Sequence, residues 1–429
     1  MESLDRKVCV IGSGIVGSAS AYALARDGWK VTMVESRLAP GQGTSKGNAG
    51  QLVYSHVEPL ATPAALRALP GWLTADLSGR DSPLKWRPRL DPAHIKWLGA
   101  FIWSCKRSRV QDTKRVLLSL SALSRETLHC WREEIPAAFD AAHFTQRGKL
   151  VLYRDPAQRA YVNEQRTWQS QYGAPQCIVA PDECLNIEPA LRAGGGGPIS
   201  FGLWTESEEA MDSERFAQEL ASASTAEILT GKTVVRFLLS GNAVKGAVLD
   251  TGQVVYADAF VIAAGIESVA LAKTVGVKLP VEPIKGYSIT MGINDFSAAP
   301  HVGITDTRRK MVFARVGQRL RVAGYAELLG MNATVEPRQI ESLRIAASQM
   351  FPGACEFSAL DPWIGHRPAT PGGRPVIAAT PLKNLWMNTG HGALGLTLAA
   401  GSATVLAALM THRSSTNTLS QMAQHFRSK

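Results

Sequence analysis

The sequence predicts an α/β fold in which a Rossmann-like nucleotide-binding domain is joined to a second, α+β domain. Three observations carry that expectation. Close to the N-terminus an apolar run at 8–11 leads into Gly12-x-Gly14-x-x-Gly17, a helical stretch, and a second strand ending in Glu35. The chain has 429 residues, and single cores stop growing at roughly 250–300 residues, so two domains are expected. Alternating strands and helices also return after a mostly helical middle section, as they do in α/β architectures.

The N-terminal unit justifies itself element by element. Residues 8–11 (Val-Cys-Val-Ile) suit a strand buried on both faces. The three glycines then allow a tight turn, approach of the backbone to a pyrophosphate, and close packing of the following helix, expected at 18–27. The N-terminal amides of that helix favour an anion. Gly28 turns the chain into a strand at 31–35, and an acid at its end can accept both ribose hydroxyls while repelling a 2′-phosphate, which argues against NADP.

Residues 41–51 hold four glycines among polar residues, which suits backbone laid against a ligand better than a helix interior. Residues 58–146 read as mostly helical with proline breaks. A strand is expected at 148–153, a helical stretch at 156–172, a short proline-bounded helix at 181–189 and a flexible connector at 194–197. Asp212 caps a helix, 233–239 reads as a strand, and a further apolar strand enters the turn at Gly265, where it could close on the same nucleotide. Strands at 287–291, 310–315 and 320–323 and a helix at 337–350 follow. A strand at 385–388, the loop Thr389-Gly390-His391-Gly392-Ala393-Leu394-Gly395 and a small-residue helix at 396–410 end the pattern, offering a second helix N-terminus to an anion.

Hydrophobic residues make up 45% and charged residues 19%, a globular balance, and no uninterrupted apolar run reaches the roughly 18 residues of a membrane span. With no secretory signal evident, the expected location is the cytoplasm or the cytoplasmic face of a membrane. Six cysteines without a C-x-x-C pair indicate neither a metal site nor a disulfide framework. The net charge of +10 is concentrated: residues 80–115 carry ten Lys or Arg against three Asp, a local net of +7. Trp86, Trp97, Phe101 and Trp103 lie among them, and Ile95, Leu98, Phe101, Ile102 and Cys105 recur at helical spacing. A basic, aromatic helix of this kind suits peripheral contact with anionic lipid, or else is an ordinary core helix with a solvated basic face. Nucleic acid is not expected, because no zinc finger, RNP-like strand or helix-turn-helix accompanies the charge.

Five motifs in order give the chain a family resemblance: Gly12-x-Gly14-x-x-Gly17 with Glu35; Thr44-Ser45-x-x-Asn48-Ala49-Gly50-Gln51; Pro283-x-Lys285-Gly286-Tyr287-Ser288; Gly365-x-Arg367-Pro368-x-x-Pro371-x-Gly373-x-Pro375; and Asn388-Thr389-Gly390-His391-Gly392-x-Leu394-Gly395. Together they resemble the FAD-dependent D-amino-acid dehydrogenases of bacteria, within the D-amino-acid oxidase and glycine oxidase group. Relatives that oxidise hydroxy-D-proline share them, so the substrate stays open. The resemblance implies a glutathione-reductase-like FAD domain assembled from 1–57, 201–280 and 361–429, and a substrate domain, built on a mixed or antiparallel sheet, from 58–200 and 281–360. Noncovalent FAD is expected against Ile11, Gly12, Gly14, Ile15, Val16, Gly17 and Ser36, with Glu35 at the ribose. Ser45, Asn48, Ala49, Gly50, Gln51 and Leu52 are expected along the cofactor, with Val234, Ala263, Ala264 and Gly265 closing from the later strand. Gly390, His391, Gly392, Leu394 and Gly395 are expected at the flavin ring, and Gly365, Leu396 and Thr397 are further expected contacts with the cofactor.

Arg367 is the first candidate for substrate, since a planar guanidinium grips a carboxylate with two bonds. Tyr287 could bond the carboxylate or wall the pocket, Lys285 could sit over the flavin, and Tyr325, His56 and Glu58 could border the pocket. His391 reads as a catalytic group or a flavin-positioning one. The expected reaction is hydride transfer from a D-amino or cyclic imino acid to FAD, with electrons passing to a quinone or another acceptor that is not NAD. A secondary-amine oxidase of the sarcosine or glycine type using O2 is the enzymic alternative, and a non-catalytic flavin-binding or membrane adaptor the other.

Overall fold

The computed structural model describes residues 6–55, 57–77, 84–173 and 175–411. Its first sheet runs in the order Glu227–Thr230, Lys30–Glu35, Lys7–Ile11, Ala259–Ile262, Leu385–Thr389, Val376–Ala379, with the first five strands parallel and the last antiparallel. Alternation along the first strand shows how the sheet is covered on both faces. Val8 and Val10 enter one core, with the helices Ile15–Arg26, Arg107–Glu134, Ser213–Ala223 and Gly395–Thr411. Cys9 and Ile11 point the other way, into a core roofed by the antiparallel meander Val234–Ser240, Ala243–Leu249, Val254–Tyr256. The first helix starts at Ile15, earlier than the sequence indicated, because Gly14 is its N-cap and the Ser45 hydroxyl accepts the Ile15 amide at 2.9 Å.

The second sheet is mixed. Its order is Asp361–Ala369, Glu282–Gly292, Arg319–Leu328, Met311–Val316, Gly303–Asp306, Lys149–Tyr153, Phe201–Thr205, Cys177–Val179, and Leu84–Trp86 adds in parallel to Arg319–Leu328. Its core packs the helix Pro337–Met350. A separate small core joins Trp97 and Phe101 of the helix Pro92–Ser104 to Ile284 and Ala369 at the Arg367 end of the sheet.

The expected domain boundaries need three corrections. Phe201–Thr205 pairs with Lys149–Tyr153, so the return to the nucleotide domain comes after residue 205, not at 201. Asp361–Ala369 pairs along Glu282–Gly292, so the second sheet extends past 361. Arg107–Glu134 puts Val116, Leu117, Leu120, Leu123, Leu128 and Trp131 into the core of the nucleotide sheet, although it was assigned to the other domain. Composition also understated one segment. Gly392–Thr411 is long and apolar enough to cross a membrane, but its apolar window is 72% buried between other helices, as a core helix would be.

Candidate active site

The two sheets face each other across a cavity of about 410 Å³. The nucleotide sheet brings to it the end of its first strand. Gly12 has φ +97°, and a Cβ there would lie 2.7 Å from Ala263 O; a Cβ on Gly17 would lie 2.0 Å from Gly12 O. Neither close approach tolerates a side chain, so the turn stays flat and the first helix turn opens on the cavity through Gly14, Ile15 and Val16. Glu35 is held at the wall, one oxygen accepting Ser13 N and Oγ, both at 2.8 Å, the other accepting Arg37 N at 2.9 Å. The backbone amides of the glycine cradle and helix start, as donors to phosphate, and a fixed acid, as acceptor for the ribose hydroxyls, are what the adenosine diphosphate half of FAD requires, so the residues fit that cofactor.

Further along the wall lie Ser36, Ser45, Asn48, Ala49 and Gln51, then Ala263, Ala264 and Gly265. Gly365, His391 and Gly392, and the first turn of the last helix from Leu394 through Gly395 and Leu396 to Thr397, complete the far side. Six expected contacts are not on the wall. Ile11, Leu52 and Val234 are buried core residues. Gly17 packs on Gly12, Gly50 turns with φ +77° beneath Met211 O, and Gly390 with φ +82° turns beside Thr370; they shape the site without lining it.

The second sheet supplies the other wall. Trp363, Gly365 and Arg367 alternate on one face of Asp361–Ala369, and all three line the cavity. The Trp363 indole lies flat between two glycines, since a Cβ on Gly47 would be 1.9 Å from the ring and one on Gly365 1.8 Å. Trp363 was not anticipated, although the period of two from Arg367 carried the signal. The Arg367 guanidinium lies on Gly286, where a Cβ would be 2.5 Å from it, and Nη1 donates to Tyr325 O at 2.8 Å. The register slips between Lys285 and Tyr287, so three steps from Gly324 to Glu327 face two. Tyr325 sits in this bulge with φ +64°, which turns its carbonyl to the arginine. Among the described residues no carboxylate lies within ion-pair distance of Arg367, and burial lowers its pKa from 12.5 to about 10.

Lys285 departs from expectation. It lies behind the wall, fully buried, with Nζ 3.1 Å from Glu327 Oε2 and donating to Thr334 O at 3.1 Å. Glu327 also accepts the Tyr287 hydroxyl at 3.0 Å and Gln339 Nε2 at 3.0 Å. Tyr287 therefore walls the cavity with its ring while its hydroxyl serves the buried carboxylate, and Tyr325 stacks edge-on against it at 5.7 Å. Burial and Glu327 both push the Tyr287 pKa up, so the phenol stays protonated. Glu58 turns to Lys114 at 2.6 Å and is not a lining residue; His56 lies outside the described residues.

His391 is at the cavity as expected, with Nε2 3.1 Å from Ser402 Oγ. The serine hydroxyl donates onward to Ala399 O at 3.0 Å, so Nε2 carries the proton and donates to it. Burial pushes the His391 pKa down to about 3, leaving a neutral ring. Lys149, not anticipated either, also lines the cavity; its ammonium is buried and depressed to about 8 by desolvation.

A glycine-cradled cleft between a parallel sheet and a mixed second sheet defines a dinucleotide-dependent redox enzyme. The chain belongs to the family of FAD-dependent oxidoreductases, whose pattern matches residues 7–409. It is similar to the D-amino acid dehydrogenase 2 of Ralstonia nicotianae, at 40% identity covering 95% of this chain and 97% of the relative, and to that of Pseudomonas aeruginosa, at 40% identity covering 94% of each. Among solved structures the fold resembles L-proline dehydrogenase from P. horikoshii, with TM-score 0.72, 18% identity, and 95% and 94% of the two chains covered. Glycine oxidase from Bacillus cereus matches with TM-score 0.70 at 19% identity, covering 97% of each chain.

Proposed function

We propose that this oxidoreductase deaminates D-amino acids, taking a hydride from Cα onto FAD. The observation that carries the reading is Arg367: a cavity-facing guanidinium, backed by Gly286 and Tyr325 O, with no carboxylate among the described residues to neutralise it. It would bind the substrate carboxylate through two bonds and so orient Cα, with Trp363 and Tyr287 excluding water beside it. When bound, FAD would supply the electron-accepting ring, and the glycine cradle, Glu35 and the first turn of the last helix would hold the cofactor. His391 is too weak a base to take a proton near neutrality, so the substrate enters as the free amine and loses only the hydride. The relatives' shared name supports the D-amino acid as substrate.

The test is anaerobic titration of the yellow protein with D-amino acids, cyclic imino acids and N-methyl amino acids. D-amino acids should bleach the flavin. Bleaching by N-methyl amino acids or glycine alone, with peroxide formed in air, would replace this reading with an amine oxidase; no bleaching by any amine would leave a flavin-binding protein. Acid precipitation should release the colour, since no cysteine lines the cavity among the described residues.

Transfer of the electrons to a membrane quinone is the second part of the proposal. Surface residues support it: Leu90, Ile95, Ile102 and Trp103 are exposed beside exposed Lys96, Lys106, Arg107 and Arg109. Trp97 and Phe101, expected to insert, are buried instead, stacked at 5.3 Å, with Trp97 Nε1 donating to Ala369 O. The apolar contact would therefore be made by the opposite face of the helix.

A further inference from the structure

Lys149 is a cation without a task in the fold. It is only 8% exposed, at the start of the strand Lys149–Tyr153, yet among the described residues its ammonium has no hydrogen-bond or ion-pair partner. The carboxylate whose charge acts on it, Glu208, is committed to the backbone amides of Tyr54 and Ser55 at 2.7 and 2.8 Å. A buried, unpaired ammonium is costly unless a ligand meets it.

Its place in the sheet says which ligand. Four strands separate it from Arg367, five spacings of about 4.8 Å or roughly 24 Å along the curved sheet. Their backbones therefore stand on different parts of the cavity wall. Lys149 pairs instead with Gly303, against which the Gln51 side chain packs, and the Gln51 Oε1 is buried without a partner. Two residues on, Val53 N donates at 3.1 Å to Thr397 Oγ1, in the first turn of the last helix. Through Gly303, Gln51 and Val53, Lys149 is thus linked to the part of the cavity wall where that helix begins.

We propose that Lys149 is the cation that meets the electron-accepting ring of the bound flavin and, with the N-terminus of the helix Gly395–Thr411, stabilises the negative charge of the reduced ring. This rests on the proposed FAD chemistry. Breaking the Cα–H bond sends two electrons and one hydrogen nucleus to the flavin; the amine nitrogen's lone pair makes the iminium, and the reduced ring keeps one negative charge. A fixed cation beside that charge favours the reduced state.

The test needs no substrate. Sulfite adds to the oxidised flavin and leaves the ring negatively charged, so its affinity reads the local field. Lys149→Met and Lys149→Gln should bind sulfite at least tenfold more weakly than the parent protein and show a lower flavin midpoint potential, tenfold corresponding to about 30 mV in a two-electron couple. Lys149→Arg should stay near the parent. Because the readings are made without an amine, they stand even if the substrate is not a D-amino acid; failure of the parent to hold FAD would instead overturn the reading beneath. Unchanged sulfite affinity and potential in the flavin-loaded Met or Gln protein would overturn the proposal. So would unchanged values accompanied by a selective loss of kcat/KM for dicarboxylic amines, which would make Lys149 a substrate contact.

Discussion

At Arg367 the proposed substrate would supply the counter-ion that the described residues do not. Removing the side chain should cost the charge-assisted contact, about 1.5–3 kcal/mol, so Arg367→Ala is expected to lose roughly 10- to 150-fold in kcat/KM, more if alignment suffers, with flavin still bound. Arg367→Lys should recover little, because a point charge cannot replace a fork resting on Gly286 and tied to Tyr325 O. Parental kinetics in either variant would move the carboxylate role elsewhere. His391 makes a different prediction. Its folded pKa, about 3, lies below the ordinary value of 6.5, so between those pH values the unfolded chain binds the extra proton and stability falls as pH drops. His391→Gln should show a smaller loss of urea midpoint from pH 7 to pH 4.5 than the parent, while the acid limb of kcat/KM, set by the substrate amine, should keep its position in both. An equal drop in the two midpoints would show that the ring does not titrate as burial dictates.

At the scale of elements, glycine spacing decides how closely the layers approach. A Cβ on Gly401 would lie 2.6 Å from Leu120 O and 2.9 Å from Ser124 N, so the last helix packs directly on the backbone of Arg107–Glu134. Gly401→Val should lower Tm by about 1–3 °C or more and reduce flavin occupancy, because the same helix begins at the cavity. Gly99→Ala, in a helix with nothing within 4 Å of the new methyl, should be neutral or stabilising by up to about 1 kcal/mol. A scan in which both behave alike would discredit the packing account. The same contrast separates what could be read in the sequence from what could not. The first strand, turn, helix and Glu35 were legible because each signal is local. Arg367 was legible from its motif, and Trp363 was available two positions before it. Lys285 and Tyr287, equally spaced, mislead: the bulge at Tyr325 and the acid at Glu327 that capture both lie on another strand. The allegiance of Arg107–Glu134 and the strand Leu84–Trp86 depend on partners hundreds of residues away.

Over the whole molecule, the positive charge of residues 80–115 is partly spent inside the fold, on Arg89 with Glu282, Lys85 with Glu327 and Lys114 with Glu58. What remains exposed flanks Ile95, Ile102 and Trp103, and liposome flotation can separate charge from insertion. Binding should require anionic lipid and weaken as salt shortens the Debye length to about 8 Å. It should fall when Lys106, Arg107 and Arg109 become Ser together, and again when Ile102 and Trp103 do. A chain that stays unbound on anionic vesicles at low salt rules the contact out. The order of the parallel sheet has a consequence for synthesis. The first strand, made within the opening dozen residues, lies beside Ala259–Ile262, and that strand waits for Leu385–Thr389. Synthesis has therefore passed Leu385–Thr389 before the nucleotide cradle gains its far wall, and a topology of such high contact order closes slowly. We expect flavin capture to follow that closure, so flavin concentration should govern how many molecules survive the final step and leave the rate of the earlier ones untouched.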